Sequence, residues 1–169
     1  ARPMKTTPQP VDVNDVVERT LRLIQTALPA NVEVQANLAE NLPRAQSDAE
    51  QLKQVVINLV QNAVQAMPNG GTLSITTTVP EDPGGIHLRG RGPEMVELRV
   101  RDTGPGIPED QREHIFVPFY TTKEKGTGLG LAISQRIVRS HGGSIALQSR
   151  SDGTEFVVRL QAVADERRQ

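Results

Sequence analysis

The pattern of this chain predicts an α+β fold, a two-layer α/β sandwich in which three main helices pack on one face of a mixed sheet of about five strands. Three stretches place apolar residues at helical spacing, and about five others read as strands, most of them alternating apolar with polar residues. The strands follow one another mostly in hairpin-type succession, which fits helices segregated to one side of a sheet. With 169 residues, 36% of them hydrophobic, the chain is long enough to bury one real core.

The elements follow in order. Residues 1–10 contain Pro3, Pro8 and Pro10 and read as a linker, 11–162 as the domain, and 163–169 as a tail. Val13, Val16, Val17, Leu21, Ile24 and Leu28 recur at helical spacing, and Pro29 stops that helix. Residues 32–36 alternate as a strand, and an extended piece lies around 43–46. Ser47-Asp48-Ala49-Glu50 has the form of a capping box with Ser47 as the cap. It opens a helix with Leu52, Val55, Val56, Leu59, Ala63 and Ala66 on one face, ending near Met67 before Pro68-Asn69-Gly70-Gly71. Leu73, Ile75, Thr77 and Val79 alternate with hydroxyl residues as a strand buried on one face. Residues 80–93 are a Gly/Pro-rich excursion, expected to be a long hairpin loop. Val96, Leu98 and Val100 alternate with Glu97, Arg99 and Arg101, so parity puts Asp102 on the apolar side at the strand end. A helix over 129–140 is closed by Gly142-Gly143, and two strands, 144–149 and 154–160, finish the domain.

Composition excludes several functions. A net charge of −1 supplies no bulk field for nucleic acid or anionic membrane, and one Tyr, three Phe and no Trp leave few rings for bases to stack on. The absence of Cys excludes a disulfide scaffold and thiolate metal sites and suits the cytosol. No apolar run approaches the roughly 20 residues that span a bilayer. A chain opening on Ala1 is expected to be a piece of a longer protein.

The chemistry concentrates in four places. Gln54, Asn58, Asn62 and Gln65 form a polar stripe beside the apolar one. Two amides on one face offer oxygens to Mg²⁺ without adding charge, with Asn62 the better ligand and Asn58 its supporter; taken alone the stripe reads as an ordinary solvated face. Asp102, inward at a strand end, needs a hydrogen-bond donor, and the N6 amino group of adenine is one, whereas guanine offers a carbonyl there. Thr103, Gly104 and Gly106 let the backbone turn past a base, although Asp-Thr-Gly-Pro-Gly is also simply a good turn. Gly126, Gly128 and Gly130 precede a helix N-terminus that favours anions, in a pattern that is neither a Rossmann fingerprint nor a Walker A loop. Lys123 in the preceding segment could meet a terminal phosphate, while Lys125 reads as solvated. Thr154, inward beside Phe156, could bring a hydroxyl near Asp102 and the base. His87, His114 and His141 have no metal-ligand partners at useful spacing and read as structural or solvated. The order of these parts reads as an ATP site.

Together the segments resemble the boxes of the catalytic, ATP-binding domain of sensor histidine kinases. Residues 58–63 resemble the N box and residues 102–107 the first glycine box. The F box is matched by 116–119 with Thr121-Thr122-Lys123, the second glycine box by 126–131, and the closing Gly-Thr segment by 153–156. The implied fold is the Bergerat sandwich, shared with gyrase, heat-shock chaperone and mismatch-repair ATPases. The resemblance implies a nucleotide site of Asn58, Asn62, Gln65, Asp102, Gly104, Gly106, Ile107, Phe119, Thr121, Thr122, Lys123, Gly126, Thr127, Gly128, Leu129, Gly130 and Thr154. Asn62 would hold Mg²⁺, Asn58 and Lys123 would serve catalysis, and the segment from Phe119 to Thr127 would act as a lid.

Two departures from the family refine this. Some relatives that hydrolyse ATP carry a Glu where this chain has Asn58, and an amide cannot take a proton from water, so ATP is expected to be spared for transfer. Gln65 stands where the family often has Lys or Arg, and Gln65-Ala66-Met67 with the short lid resembles nitrogen-regulation-type sensor kinases. No segment matches the family's phosphoacceptor histidine. The resemblance thus implies transfer of the γ-phosphoryl group to a histidine on a separate dimerisation domain and onward to a response regulator. It further implies a monomeric isolated domain, a homodimeric parent, and a cytoplasmic domain whose parent's membrane anchoring the sequence leaves open. A serine kinase of the anti-sigma type and a non-catalytic nucleotide switch are the rival readings.

Overall fold

The computed structural model describes residues 7–80, 94–121 and 128–164. In chain order the elements are β1 (Gln9–Val11), α1 (Val13–Ile24), β2 (Val32–Asn37), β3 (Ala45–Ser47), α2 (Ala49–Gln65), β4 (Gly71–Thr78), β5 (Met95–Asp102), α3 (Gly130–Ser140), β6 (Ser144–Arg150) and β7 (Gly153–Gln161). Five strands form the main sheet in the order β2-β4-β5-β7-β6. The β2–β4 pair is parallel and the other pairs are antiparallel, so the sheet is mixed as expected. A small antiparallel ribbon joins β1 to β3, so Gln9 and Pro10, at the end of the stretch read as a linker, lie in a strand.

The helices are where their apolar spacing put them. Asp12 caps α1, its carboxylate accepting from the Asp15 amide at 3.1 Å. Val13, Val16 and Val17 face the core, and Thr20 hides its hydroxyl by donating to the Val16 carbonyl at 2.6 Å. A closed polar knot ties α1 to the sheet: Thr77 Oγ1 donates to Asn14 Oδ1 at 2.7 Å, Asn14 Nδ2 to the Ala39 carbonyl at 2.8 Å, and the Ala39 amide to Thr77 Oγ1 at 2.9 Å. Inward from the sheet come Leu73 and Ile75, then Val96, Leu98 and Val100, then Phe156, Val158 and Leu160. Against them α2 lays Leu52, Val55, Val56, Leu59, Val60 and Ala63.

Two details differ from the sequence reading. The cap of α2 is Asp48, not Ser47: Asp48 Oδ1 accepts from the amides of Glu50 and Gln51 at 3.0 and 3.1 Å. Ser47 is held in β3 by pairing with Gln9, which turns its side chain inward. There its hydroxyl meets His141 Nδ1 at 3.0 Å, while His141 Nε2 meets Gln51 Oε1 at 2.8 Å. His141 is structural, joining the ribbon, the start of α2 and the end of α3. Burial pushes its pKa below the ordinary histidine value, with the Asp48 charge opposing.

The second difference is Glu97. Strand parity places it on the face away from the helices, yet it is only 1% exposed. Its carboxylate bonds Arg99 on one side and its cross-strand partner Arg159, at 3.0 Å, on the other. Arg99 continues to Glu155 at 2.7 Å. Burial works against the charge of Arg99, but its hydrogen bonds to Glu97 and Glu155 outweigh that and raise its pKa. The charged ladder thus shields its own centre.

Candidate nucleotide site

The C-terminal half of α2, the end of β5, the loop after it and the start of α3 converge on a cavity of about 440 Å³. One helix serves both core and cavity because α2 carries two stripes. Its apolar stripe packs on the sheet, and Asn58, Gln61, Asn62 and Gln65 turn toward the cavity at helical spacing.

Asp102 ends the inward row of β5 and is 2% exposed. Its Oδ1 accepts from the Gly104 amide at 2.9 Å, an interaction made possible by the tight turn that follows the strand. Directly across the ladder stands Thr154 of β7, also buried, and both residues line the cavity. The loop beyond is pinned by Ile107, whose amide donates to Ser149 Oγ at 2.7 Å and whose carbonyl accepts from Arg112 Nε at 2.9 Å. Gly106 has φ +81°, and a Cβ there would run into the Arg150 carbonyl oxygen. The demand for glycine at this position therefore comes from the β6–β7 turn packed behind the loop.

Across the cavity, the Phe119 amide donates to the Gly128 carbonyl at 2.9 Å. Phe119 has φ +69°, a conformation bulky residues rarely adopt, and its side chain is 74% exposed. Gly128, at φ +72°, lies so close to the Phe119 backbone that any side chain would collide with it. Asn58 bridges to this region: Nδ2 donates to the Gly130 carbonyl at 3.2 Å and to Ser134 Oγ at 3.3 Å, and Oδ1 accepts from Gln54 Nε2 at 2.8 Å.

Of the residues expected at the site, the cavity is lined by Asn58, Asn62, Gln65, Asp102, Gly106, Ile107, Thr121, Gly128, Gly130 and Thr154. Gly104, Phe119 and Leu129 do not line it. Gly104 supports Asp102 from behind, Phe119 points to solvent, and Leu129 immediately precedes α3. Thr122, Lys123, Gly126 and Thr127, with Lys125 and His87, lie outside the described residues. Sequence reasoning missed Gln61, Ala66, Pro105, Pro108, Gln111, Ile115, Tyr120 and Leu131 as wall residues. Gln61 was findable, since it falls three residues after Asn58 on the same stripe. Ile115 and Tyr120 come from irregular backbone with no periodicity to follow. Tyr120 is instead oriented by a tilted contact with His114, ring centroids 5.5 Å apart.

The cavity offers a buried carboxylate beside a hydroxyl at one end, amides along one wall, and a helix N-terminus at the rim. That set can bind a polar planar group at Asp102 and an anion near α3. Among the described residues no group of three or more His, Cys, Asp or Glu could hold a metal ion. No helix of the described residues is long and apolar enough to cross a membrane.

Residues 47–164 match the model of the family described as histidine kinase-, DNA gyrase B-, and HSP90-like ATPase. The chain is 36% identical over 165 residues to the sensor histidine kinase ZraS of Salmonella typhimurium, covering 96% of this chain and 33% of that protein. It therefore spans about a third of that relative's length. Among solved structures, the catalytic domain of histidine kinase ThkA superposes with a TM-score of 0.76 at 32% identity, covering 94% of this chain and 97% of that one. ThkA has also been solved in complex with the response regulator protein TrrA. Full-length ShkA in complex with AMPPNP gives a TM-score of 0.77 at 27% identity, covering 98% of this chain and 34% of that one. By the family match over most of its length, with the fold and cavity to go with it, the chain belongs to the histidine kinase-, DNA gyrase B- and HSP90-like ATPase family.

Proposed function

We propose that this chain is the ATP–Mg²⁺-binding catalytic domain of a sensor histidine kinase. It positions the γ-phosphoryl group for transfer to a histidine nitrogen on a separate dimerisation domain of a homodimeric parent. The observation that carries the reading is Asp102: a buried carboxylate, backed by the Gly104 amide and faced by Thr154, at the closed end of a cavity of nucleotide size. It supports adenine recognition because the carboxylate accepts from an exocyclic amine. AMPPNP in the ShkA structure and TrrA in the ThkA complex support the nucleotide and a response-regulator partner by likeness.

Each group of residues then has a task. Asp102 and Thr154 orient the base, and Ile107, Ile115 and Leu131 enclose it with apolar surface. The N-terminus of α3, reached through Gly128 and Gly130, favours the phosphates. The oxygen-rich wall of α2 suits a hard cation shared with phosphate, and Asn62 is its protein ligand. Mg²⁺ bound there would neutralise charge that builds up on the transferring group. Lys123 supplies a further positive charge. In the transfer, the bond from the γ-phosphorus to the β–γ bridging oxygen breaks, a phosphorus–nitrogen bond forms on the acceptor imidazole, and ADP leaves. Asn58 carries no base, so water is not activated from this position.

The test is incubation with γ-labelled ATP, with and without the histidine-bearing dimerisation domain of the parent. An acid-labile label on the dimerisation domain alone is expected. A strong acid-labile label on this chain by itself, or an acid-stable label on the acceptor, overturns the reading.

A further inference from the structure

An amide side chain has two ends of nearly equal size and opposite hydrogen-bonding character, so its function depends on what fixes its direction. Asn58 is held at both ends, and its direction is set at one. Its Nδ2 faces the Gly130 carbonyl at 3.2 Å and the Ser134 hydroxyl at 3.3 Å, and its Oδ1 accepts from Gln54 Nε2 at 2.8 Å. A carbonyl only accepts, so the reverse orientation would set Oδ1 against the Gly130 oxygen; Gly130 fixes the direction of the amide, while Gln54 and Ser134 hold it in place by hydrogen bonds at its two ends.

Gln54 and Ser134 are not part of the cavity wall, whereas Asn58 and Gly130 are. Ser134 is fully buried in α3, a polar group in an apolar interface, where Asn58 reaches it. Gln54 is exposed one turn before Asn58 on α2. Gly130 is the first residue of α3, immediately after the turn at Gly128. The chain of hydrogen bonds therefore runs from an exposed residue of α2, through a cavity residue, into the turn of α3 that favours anions.

We propose that Gln54 and Ser134 are positioning residues that hold the Asn58 amide in the orientation set by the Gly130 carbonyl and so lock the first turn of α3 against α2 in the geometry that accepts nucleotide phosphates. The inference rests on the nucleotide-binding reading given above. It separates two kinds of ligand: ATP–Mg²⁺, which uses the phosphate end, depends on the lock, while adenosine, which uses only the Asp102 end, does not.

The test is calorimetric titration of this chain with ATP–Mg²⁺ and with adenosine, for the unaltered protein, Gln54→Met, Gln54→Lys and Ser134→Ala. Measurement at about 0.5 M salt screens the charge added by lysine. Gln54→Met keeps the length and removes the donor, so ATP–Mg²⁺ affinity should fall about three- to tenfold with adenosine affinity unchanged. Gln54→Lys restores a donor and should recover most of the loss. Ser134→Ala should cost about twofold, since Gly130 still accepts from Asn58. Nuclear magnetic resonance of the Asn58 side-chain amide supplies a readout that a merely structural role would not move, with exchange broadening in Gln54→Met that Gln54→Lys reverses. If Gln54→Met binds ATP–Mg²⁺ like the unaltered chain, or loses both ligands equally, the inference is overturned alone. If the unaltered chain binds no ATP–Mg²⁺, the nucleotide reading itself fails and the inference goes with it.

Discussion

Asp102 and His141 are buried polar side chains with opposite consequences. Asp102 was legible in the sequence because strand parity carried the apolar row of β5 to it, and the glycines after it marked a turn. His141 was not legible: its partners, Ser47 and Gln51, are far away in sequence and meet it only once the β1–β3 ribbon forms. Its lowered pKa has a definite sign for stability. The unfolded chain binds the proton more tightly than the native one, so the contribution is fully present above pH about 6.5 and is lost as pH falls through that value toward the lower native one. The urea midpoint should therefore drop more steeply between about pH 7.5 and about pH 5.5, either side of the ordinary histidine value, in the unaltered chain than in His141→Gln. Equal slopes would mean that His141 is not the titrating group. Glu97 was missed for a related reason, because alternation assigns a face but not the arginines that cover it.

At the scale of elements, the helices were the most legible because each carries an unbroken apolar stripe, and Asp12 opens α1 as its residue type suggests; α1 itself ends at Ile24, short of the expected stop at Pro29, because a tighter 3-10 turn over Gln25–Ala27 takes over. The start of α2 shows the limit of such reasoning. Ser47 and Asp48 are both good caps, and the choice is made by strand pairing, which draws Ser47 into β3 and leaves Asp48 at the helix start. Asp48→Ala should cost about 1 kcal/mol, with Asp48→Ser retaining most of the stability, as read from denaturant midpoints. A change of a few tenths or less in Asp48→Ala would place the cap elsewhere. The glycines were legible as turns, but Gly106 and Gly128 are demanded by backbone packed against them, a long-range fact that no local motif contains.

The molecule as a whole divides its sheet between two tasks. One face carries the apolar core beneath α1, α2 and α3, while the other carries the charged ladder of Glu97, Arg99, Arg159 and Glu155. The cavity forms where the core face runs out, so that the last inward residue of β5 is a carboxylate and its neighbour across the ladder is a threonine. The sheet order and the one parallel pair could not be deduced from local pattern, since nothing near β2 specifies that it lies beside β4. The motif order nevertheless picked out residues that line one cavity, since residues spaced along 58–154 converge there in this topology. The most direct test of the central claim is a paired titration of the chain with ATP–Mg²⁺ and GTP–Mg²⁺. A carboxylate that reads the N6 amine of adenine, where guanine has a carbonyl, predicts a preference for ATP of at least about tenfold, abolished in Asp102→Ala. Equal affinities in the unaltered chain, or a preference that survives loss of the Asp102 carboxylate, would contradict it.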